Sequence, residues 1–433
     1  MSYLLKSATV VTLNPPKVER ADLRIAAGSV VEHAAGLNPH EDEEVIDLSG
    51  KLVMSGMVCA HTHLYSALAR GMPPPPRAPK NFKEILELIW WRLDRALDEE
   101  TIYWSAMAGA MEAARAGTTC LFDHHASPSR ITGSLQIVRE AIEKVGLRAV
   151  LCYEVTDRGG AKERDEGIEE NRGLLNWSRG GAHAPLFRAM VGAHASFTLS
   201  DESLDACAGL MHEFDVGLHI HVAEDLCDVE DARATYGSGV VERLAKHDAL
   251  NKRTVLAHGI HLSDEDIAVG RSAGVWFAHN PRSNMNNQVG YAPVAEFGDR
   301  VVLGTDGIGA DMFEEARFAF FKSRDSRAGF VGDDWLRVLA NNQRLASEAF
   351  GTELATLTTG SPADLIVLDY KSPTPLTTEN LASHLVFGMN SASVESVMVN
   401  GKFVIRDRRH SFGDDVYEPI REAAKVLWAK LDS

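Results

Sequence analysis

A (β/α)8 barrel carrying a small β domain built from both chain ends is the fold these 433 residues predict. Three observations carry it. Eight short apolar runs alternate with amphipathic segments over about 250 residues. β-rich texture occurs at the N-terminus and returns at the C-terminus. Histidines and an aspartate recur where the apolar runs end.

The N-terminal part, 1–54, holds the β-rich runs Ala8–Leu13, Asp22–Ile25 and Val45–Leu48, separated by Asn14-Pro15-Pro16 and Gly28. Ala363–Asp369 and Val394–Val399 repeat that texture, and Asn400-Gly401 is a strong hairpin signal. Residues 1–54 and 361–433 are therefore expected to form one composite β domain, closed by a helix over about 417–431. Residues 55–360 form the barrel. Its strands are expected to end near His63, Asp123, Tyr153, His194, His221, His258, His279 and Asp306. A doubly wound open sheet is the alternative, but no glycine-rich phosphate loop follows the first strand. Pro73–Pro76 falls where the first loop would cover the barrel mouth, as a stiff lid or a plain surface loop.

Composition narrows the function classes. Acidic residues number 61 against 44 basic ones, a net charge of −17, which disfavours nucleic acid and anionic membranes as partners. No apolar window approaches the ~20 residues a membrane span needs. No basic stretch leads into an apolar core at the N-terminus, so no signal peptide is expected. Five scattered cysteines fit buried thiols in a reducing cytoplasm. A small-molecule substrate is expected, with self-association left open.

The most informative motif is His61-Thr62-His63 at the end of the first run. Side chains two apart on a strand share a face, so both imidazoles converge on one point, and imidazole suits zinc, iron, nickel or copper. His221, His258 and Asp306 end three further strands. Singly each has a plainer reading, and Asp306 in Gly304-Thr305-Asp306-Gly307 could simply cap a turn. Five metal-competent residues at four strand ends of one barrel point together to a site, because barrel enzymes build their chemistry at those ends.

Taken in order, Ser55–Leu64, His219–Glu224, Leu256–Gly259 and Leu303–Asp306 resemble the amidohydrolase superfamily, in its aminohydrolase and chlorohydrolase branch. Asp123–Pro128, the run from His279-Asn280-Pro281 to Asn287, and Asp311–Glu314 resemble the SsnA-type aminohydrolases most. The resemblance implies that His61, His63, His221 and Asp306 hold one divalent metal, zinc ahead of iron, with a place for water. Metal binding brings water's ionisation near neutral pH, giving a nucleophile for an electron-poor ring carbon. Asp306 and His258 would orient that water and accept its proton, and Glu224 would protonate a ring nitrogen and then the leaving amine. Glu224 could instead be a carboxylate stabilising a helix N-terminus. His194 resembles a substrate-contacting histidine, with a structural role as the alternative, and His219 reads as structural.

The implied activity is hydrolytic deamination of a purine-, pterin- or pyrimidine-type ring. Loss of chloride or an alkylamine from a triazine, opening of a cyclic amide, and metal binding without turnover are the alternatives. One departure bears on substrate. Adenosine-type relatives carry a Glu-Trp pair after the first strand, whereas this chain has Glu84-Ile85. Trp90 is then the expected stacking residue, with Trp91 beside it.

Overall fold

The computed structural model describes residues 2–179, 185–413 and 415–431. Eight parallel strands form the barrel: β1 (Met57–Thr62), β2 (Thr118–His125), β3 (Arg148–Val155), β4 (Val191–Ala195), β5 (Leu218–Val222), β6 (Val255–His258), β7 (Trp276–His279) and β8 (Val301–Leu303). They lie side by side in chain order, with Phe187–Ala189 as an extra strand on β3. The ring closes where His61 meets the segment after β8: the Thr305 and Asp306 amides donate to the His61 carbonyl at 2.8 and 3.0 Å. That approach explains Gly304, where any Cβ would lie 2.6 Å from the His61 Cβ. Every residue of β2 and β3 is buried, as expected of parallel strands covered on both faces.

Side chains fill the barrel below the site. Val58, Phe122, Val150 and Trp276 pack together, joined by Leu345 and Phe350 of the long helix Gly332–Phe350. The register of β1 against β2 slips between Cys59 and Thr62, an irregularity of the kind that re-aims side chains near active sites. Past this slip, both histidines of the first motif reach the centre of the mouth.

The second sheet has nine strands drawn from residues 2–55 and 365–410. Leu365–Leu368 pairs antiparallel with Leu52–Ser55, so the two chain ends interleave in one hydrogen-bonded layer. A buried bidentate ion pair from Arg148 of β3 to Asp364 ties this sheet to the barrel. The Tyr417–Leu431 helix returns to the barrel, where Trp428 Nε1 donates to the Leu68 carbonyl at 2.8 Å. None of the described helices is long and apolar enough to cross a membrane. Cys59, Cys120, Cys152 and Cys207 are buried free thiols, and Cys227 is half-buried.

Candidate active site

Strand ends deliver the site. His61 and His63 end β1, His221 lies in β5, His258 ends β6, and Asp306 follows β8. His258 and Asp306 hold φ values of 74° and 54°, and Ala223 beyond β5 has 46°. This left-handed backbone is uncommon outside glycine and clusters at functional sites. It breaks the chain away from the sheet at the three places where the mouth needs a side chain turned inward.

Hydrogen bonds fix which ring nitrogens face the centre. The Nδ1–H of His63 donates to the His124 carbonyl and that of His221 to the His194 carbonyl, both at 2.6 Å. A carbonyl can only accept, so each ring keeps its Nδ1–H on that carbonyl and turns Nε2 inward, and these atoms lie 3.2 Å apart. His61 Nδ1 sits 2.9 Å from His219 Nε2 below, which leaves His61 Nε2 buried with no hydrogen-bond partner. Asp306 Oδ1 lies 2.9 Å from His63 Nε2 and 3.4 Å from His61 Nε2. Donors about 2.1 Å from one tetrahedral ion lie about 3.4 Å apart. Three inward imidazole nitrogens and a carboxylate at these separations fit a divalent metal ion.

Titration behaviour follows from the same contacts. Burial pushes His61 down to about 3, against the pull of Asp306. Burial also pushes His63 down, but hydrogen bonding and charge from Asp306 outweigh it and raise it to about 9. A divalent cation held at these atoms would take the place of that proton. Burial works against the Asp306 charge as well, yet His61 and His63 hold its carboxyl well below the usual range. Glu224 is the opposite case. Burial holds its carboxyl well above the ordinary range, with His258 only partly opposing.

Glu224 Oε2 lies 3.4 Å from His258 Nε2, and its Oε1 accepts from Asn287 Nδ2 at 3.1 Å. His258 Nδ1 faces the side-chain Oδ1 of Asn284 at 2.9 Å, which turns Nε2 toward the site. Ser283 donates from Oγ to Asp306 Oδ2, and Asn287 reaches the same hydroxyl at 3.4 Å. One helical turn after β7 thus links Asp306 to Glu224. In sequence, the run from His279 to Asn287 carries a resemblance but announces no role for Ser283, Asn284 or Asn287. The signal available was Ser283, Asn284 and Asn287 at helical spacing behind a buried strand.

The cavity above these groups is lined by His194, Trp90, Trp91 and Glu154. His194 Nδ1 pairs with Thr198 Oγ1 at 2.7 Å. The Leu86–Trp90 segment is a π turn between two α-helical stretches, and both tryptophans reach the cavity. Glu84 is occupied elsewhere, bonded to Arg77 and to the Lys80 amide. Glu154, on β3, was missed by the sequence reading, since one glutamate in an apolar run carries no motif. His124 bridges Glu154 and the His219 carbonyl, His125 pairs with Ser127, and both ring nitrogens of His279 are buried without partners.

Fold and site together define a barrel hydrolase with a built-in metal cradle. The chain belongs to the amidohydrolase family, whose model matches residues 52–404. Among its relatives, a 5'-deoxyadenosine deaminase from Methanosarcina mazei is 30% identical over 442 residues, covering 99% of both chains. Another 5'-deoxyadenosine deaminase, from Methanopyrus kandleri, is 31% identical over 92% of each. A 5-methylthioadenosine/S-adenosylhomocysteine deaminase from Caldanaerobacter subterraneus is 29% identical over 99% of each. In three dimensions the chain is similar to a zinc-bound adenosine deaminase from Xanthomonas campestris, with a TM-score of 0.85 and 20% identity over 98% of both chains. The fold is also shared by the atrazine chlorohydrolase TrzN from Arthrobacter aurescens TC1, at a TM-score of 0.84 and 22% identity, over 98% of this chain and 100% of that one.

Proposed function

We propose that this chain is a metal-dependent aminohydrolase that releases ammonia from an amino-substituted nitrogen heterocycle. His61, His63, His221 and Asp306 hold the ion in this reading, zinc ahead of iron. The ion supplies, when bound, an acidified water as nucleophile. The remaining work belongs to the chain. Asp306, steadied by Ser283, orients the attacking water. His258 and Glu224 receive its proton, and Glu224 delivers a proton to the ring nitrogen beside the attacked carbon and then to the leaving amine. His194 and Trp90 position the ring.

The observation that carries the reading is the half-buried Glu224 carboxylate, 3.4 Å from His258 Nε2 and lining the same cavity as His63, His221 and Asp306. A protein that only bound metal would gain nothing from a proton carrier there. Relatives that cover nearly the whole chain and are named for deamination of adenosine-type rings support the same reaction class. The test is the leaving group. Metal-loaded protein is offered amino-purines, amino-pterins, cytosines, a chlorotriazine and an alkylaminotriazine, and ammonia, chloride and alkylamine are measured. Ammonia from an amino-heterocycle is expected; chloride or alkylamine alone would reassign the reaction.

A further inference from the structure

Glu154 is buried, lines the same cavity, and comes from a strand that supplies none of the groups used above. Its oxygen lies within 4.8 Å of the donor atoms of His63, His124 and His221, a grouping that by itself could hold a cation. That cation would not be a second one. His221 and His63 each have a single inward nitrogen, Nε2, because their Nδ1 atoms are held by backbone carbonyls. Those nitrogens serve one ion at a time. Glu154 is thus a buried carboxylate beside the reaction centre with a different task.

Its contacts leave acceptor capacity open. A carboxylate offers about four lone-pair positions. The His124 Nδ1 contact at 3.2 Å uses one. Arg158 at 3.7 Å and His194 Nε2 at 3.7 Å supply charge or polarity but lie beyond hydrogen-bond length. The neighbours around it are consistent with a charged group kept ready: Arg158 is itself paired with Asp94 and lies over the Trp91 ring. Glu154 and Glu224 approach the metal-facing atoms from different sides. Glu154 stands with His124 of β2 and His194 of β4, whereas Glu224 stands with His258 of β6 and Asn287.

From this placement we infer that Glu154 determines substrate specificity, accepting a hydrogen bond from a ring N–H that adjoins the amino-bearing carbon on the side away from Glu224. The inference rests on the aminohydrolase reading and names its substrate class. The attacked carbon is flanked by a nitrogen that Glu224 protonates and by an N–H that Glu154 holds. That is the N–C(NH2)–NH unit of 2-amino-4-oxo-pyrimidine rings, as in isocytosine, guanine and pterin. Cytosine and adenine present a carbon on that side and give Glu154 nothing to accept. A site built around a hydrogen bond to its substrate rejects analogues that lack the donor, because a buried polar group is left unpaired.

The test separates binding from turnover. Calorimetry on metal-loaded Glu224→Gln protein measures isocytosine and pterin against cytosine and adenine, and is repeated with Glu154→Gln added. Isocytosine and cytosine are isomers of equal size and composition, and only isocytosine places a ring N–H beside the amino-bearing carbon. The first pair is expected to bind tighter, and Glu154→Gln to weaken it about 10- to 150-fold, the worth of a hydrogen bond to a charged group, leaving the second pair and the metal content unchanged. Equal binding of the isomers, binding of neither, a uniform loss across all four ligands, or loss of metal on Glu154→Gln would each overturn the inference. The isomer comparison needs no Glu154 variant, so it stands even where that variant fails to fold. Ammonia release by the native chain is scored separately. Glu154-dependent binding without ammonia would sink the deaminase reading and spare this one, and ammonia from cytosine or adenine with no Glu154 dependence would do the reverse.

Discussion

Replacing Ser283 by alanine removes a single hydroxyl and tests whether the turn after β7 tunes the metal cradle. Ser283 is 4% exposed, and its Oγ donates to Asp306 Oδ2, the carboxylate oxygen turned away from His61 and His63. Hydrogen bonds to charged groups contribute about 1.5–3 kcal/mol, so its loss corresponds to about 10- to 150-fold. Outer partners of metal-ligating carboxylates are independently expected to be worth about 10–100-fold in metal affinity or activity. The two ranges agree, and the smaller serves as the prediction. Alanine leaves no clash, and Asn287, which loses its long contact to this hydroxyl, keeps its bond to Glu224, so the fold should persist. Apo protein is titrated with zinc against a competing chelator, beside the parent at the same pH. The variant should bind one equivalent, about 10–100-fold more weakly. Unchanged affinity would refute the idea that Ser283 holds Asp306 in its ligating orientation.

Four further outcomes follow from the same geometry. Glu224→Gln keeps shape but not the proton, so turnover should fall about 10²–10⁴-fold with metal content near the parent's, checked by kinetics and elemental analysis. Burial disfavours the Glu224 carboxylate, so it stays protonated to higher pH than a surface glutamate; if it must be ionised to take a proton, the acid limb of kcat/KM should lie above the ordinary carboxylate range of about 4.5, and a limb at or below that value would contradict the assignment. Trp90→Ala should raise KM about 5- to 150-fold with little change in kcat, since base–aromatic stacking is worth roughly 1–3 kcal/mol. Asp364→Ala strands the buried Arg148 guanidinium, and breaking such a pair costs about 3–5 kcal/mol. Arg148 keeps its bonds to the Pro185 carbonyl and Asn400, which places the loss near the lower end in urea unfolding.

Much of this architecture was legible because buried parallel strands write themselves as continuous apolar runs. Val255–His258 and Val301–Leu303 are such runs, and each is followed or closed by a polar group that the core cannot use. His61 and His63 were legible because His221, His258 and Asp306 recur at three further strand ends of the same barrel. Other parts depend on contacts between segments far apart in the chain. The pairing of His61 with His219 spans 158 residues, and the slip of β1 against β2 between Cys59 and Thr62 leaves no trace in the alternation of residues. Left-handed backbone at His258 and Asp306, with φ of 74° and 54°, is tolerated by these residue types but not announced by them. Glu154 reads as an ordinary polar residue until β3 is set beside His124 and His194. Trp90 and Trp91 both offered a stacking face in sequence, although a regular amphipathic helix would turn one of them to the core; with the π turn at Leu86–Trp90 both line the cavity.

The account stands or falls on the four residues proposed to hold one catalytic ion. The most direct measurement is metal content and ammonia release, side by side, for the parent and for His63→Ala. His63 Nε2 lies 2.9 Å from Asp306 Oδ1 and 3.2 Å from His221 Nε2, so its removal opens the cradle on two sides. The parent should carry one equivalent of divalent metal per chain, and the variant should lose both the metal and the activity. Full metal occupancy in the variant would contradict the assignment.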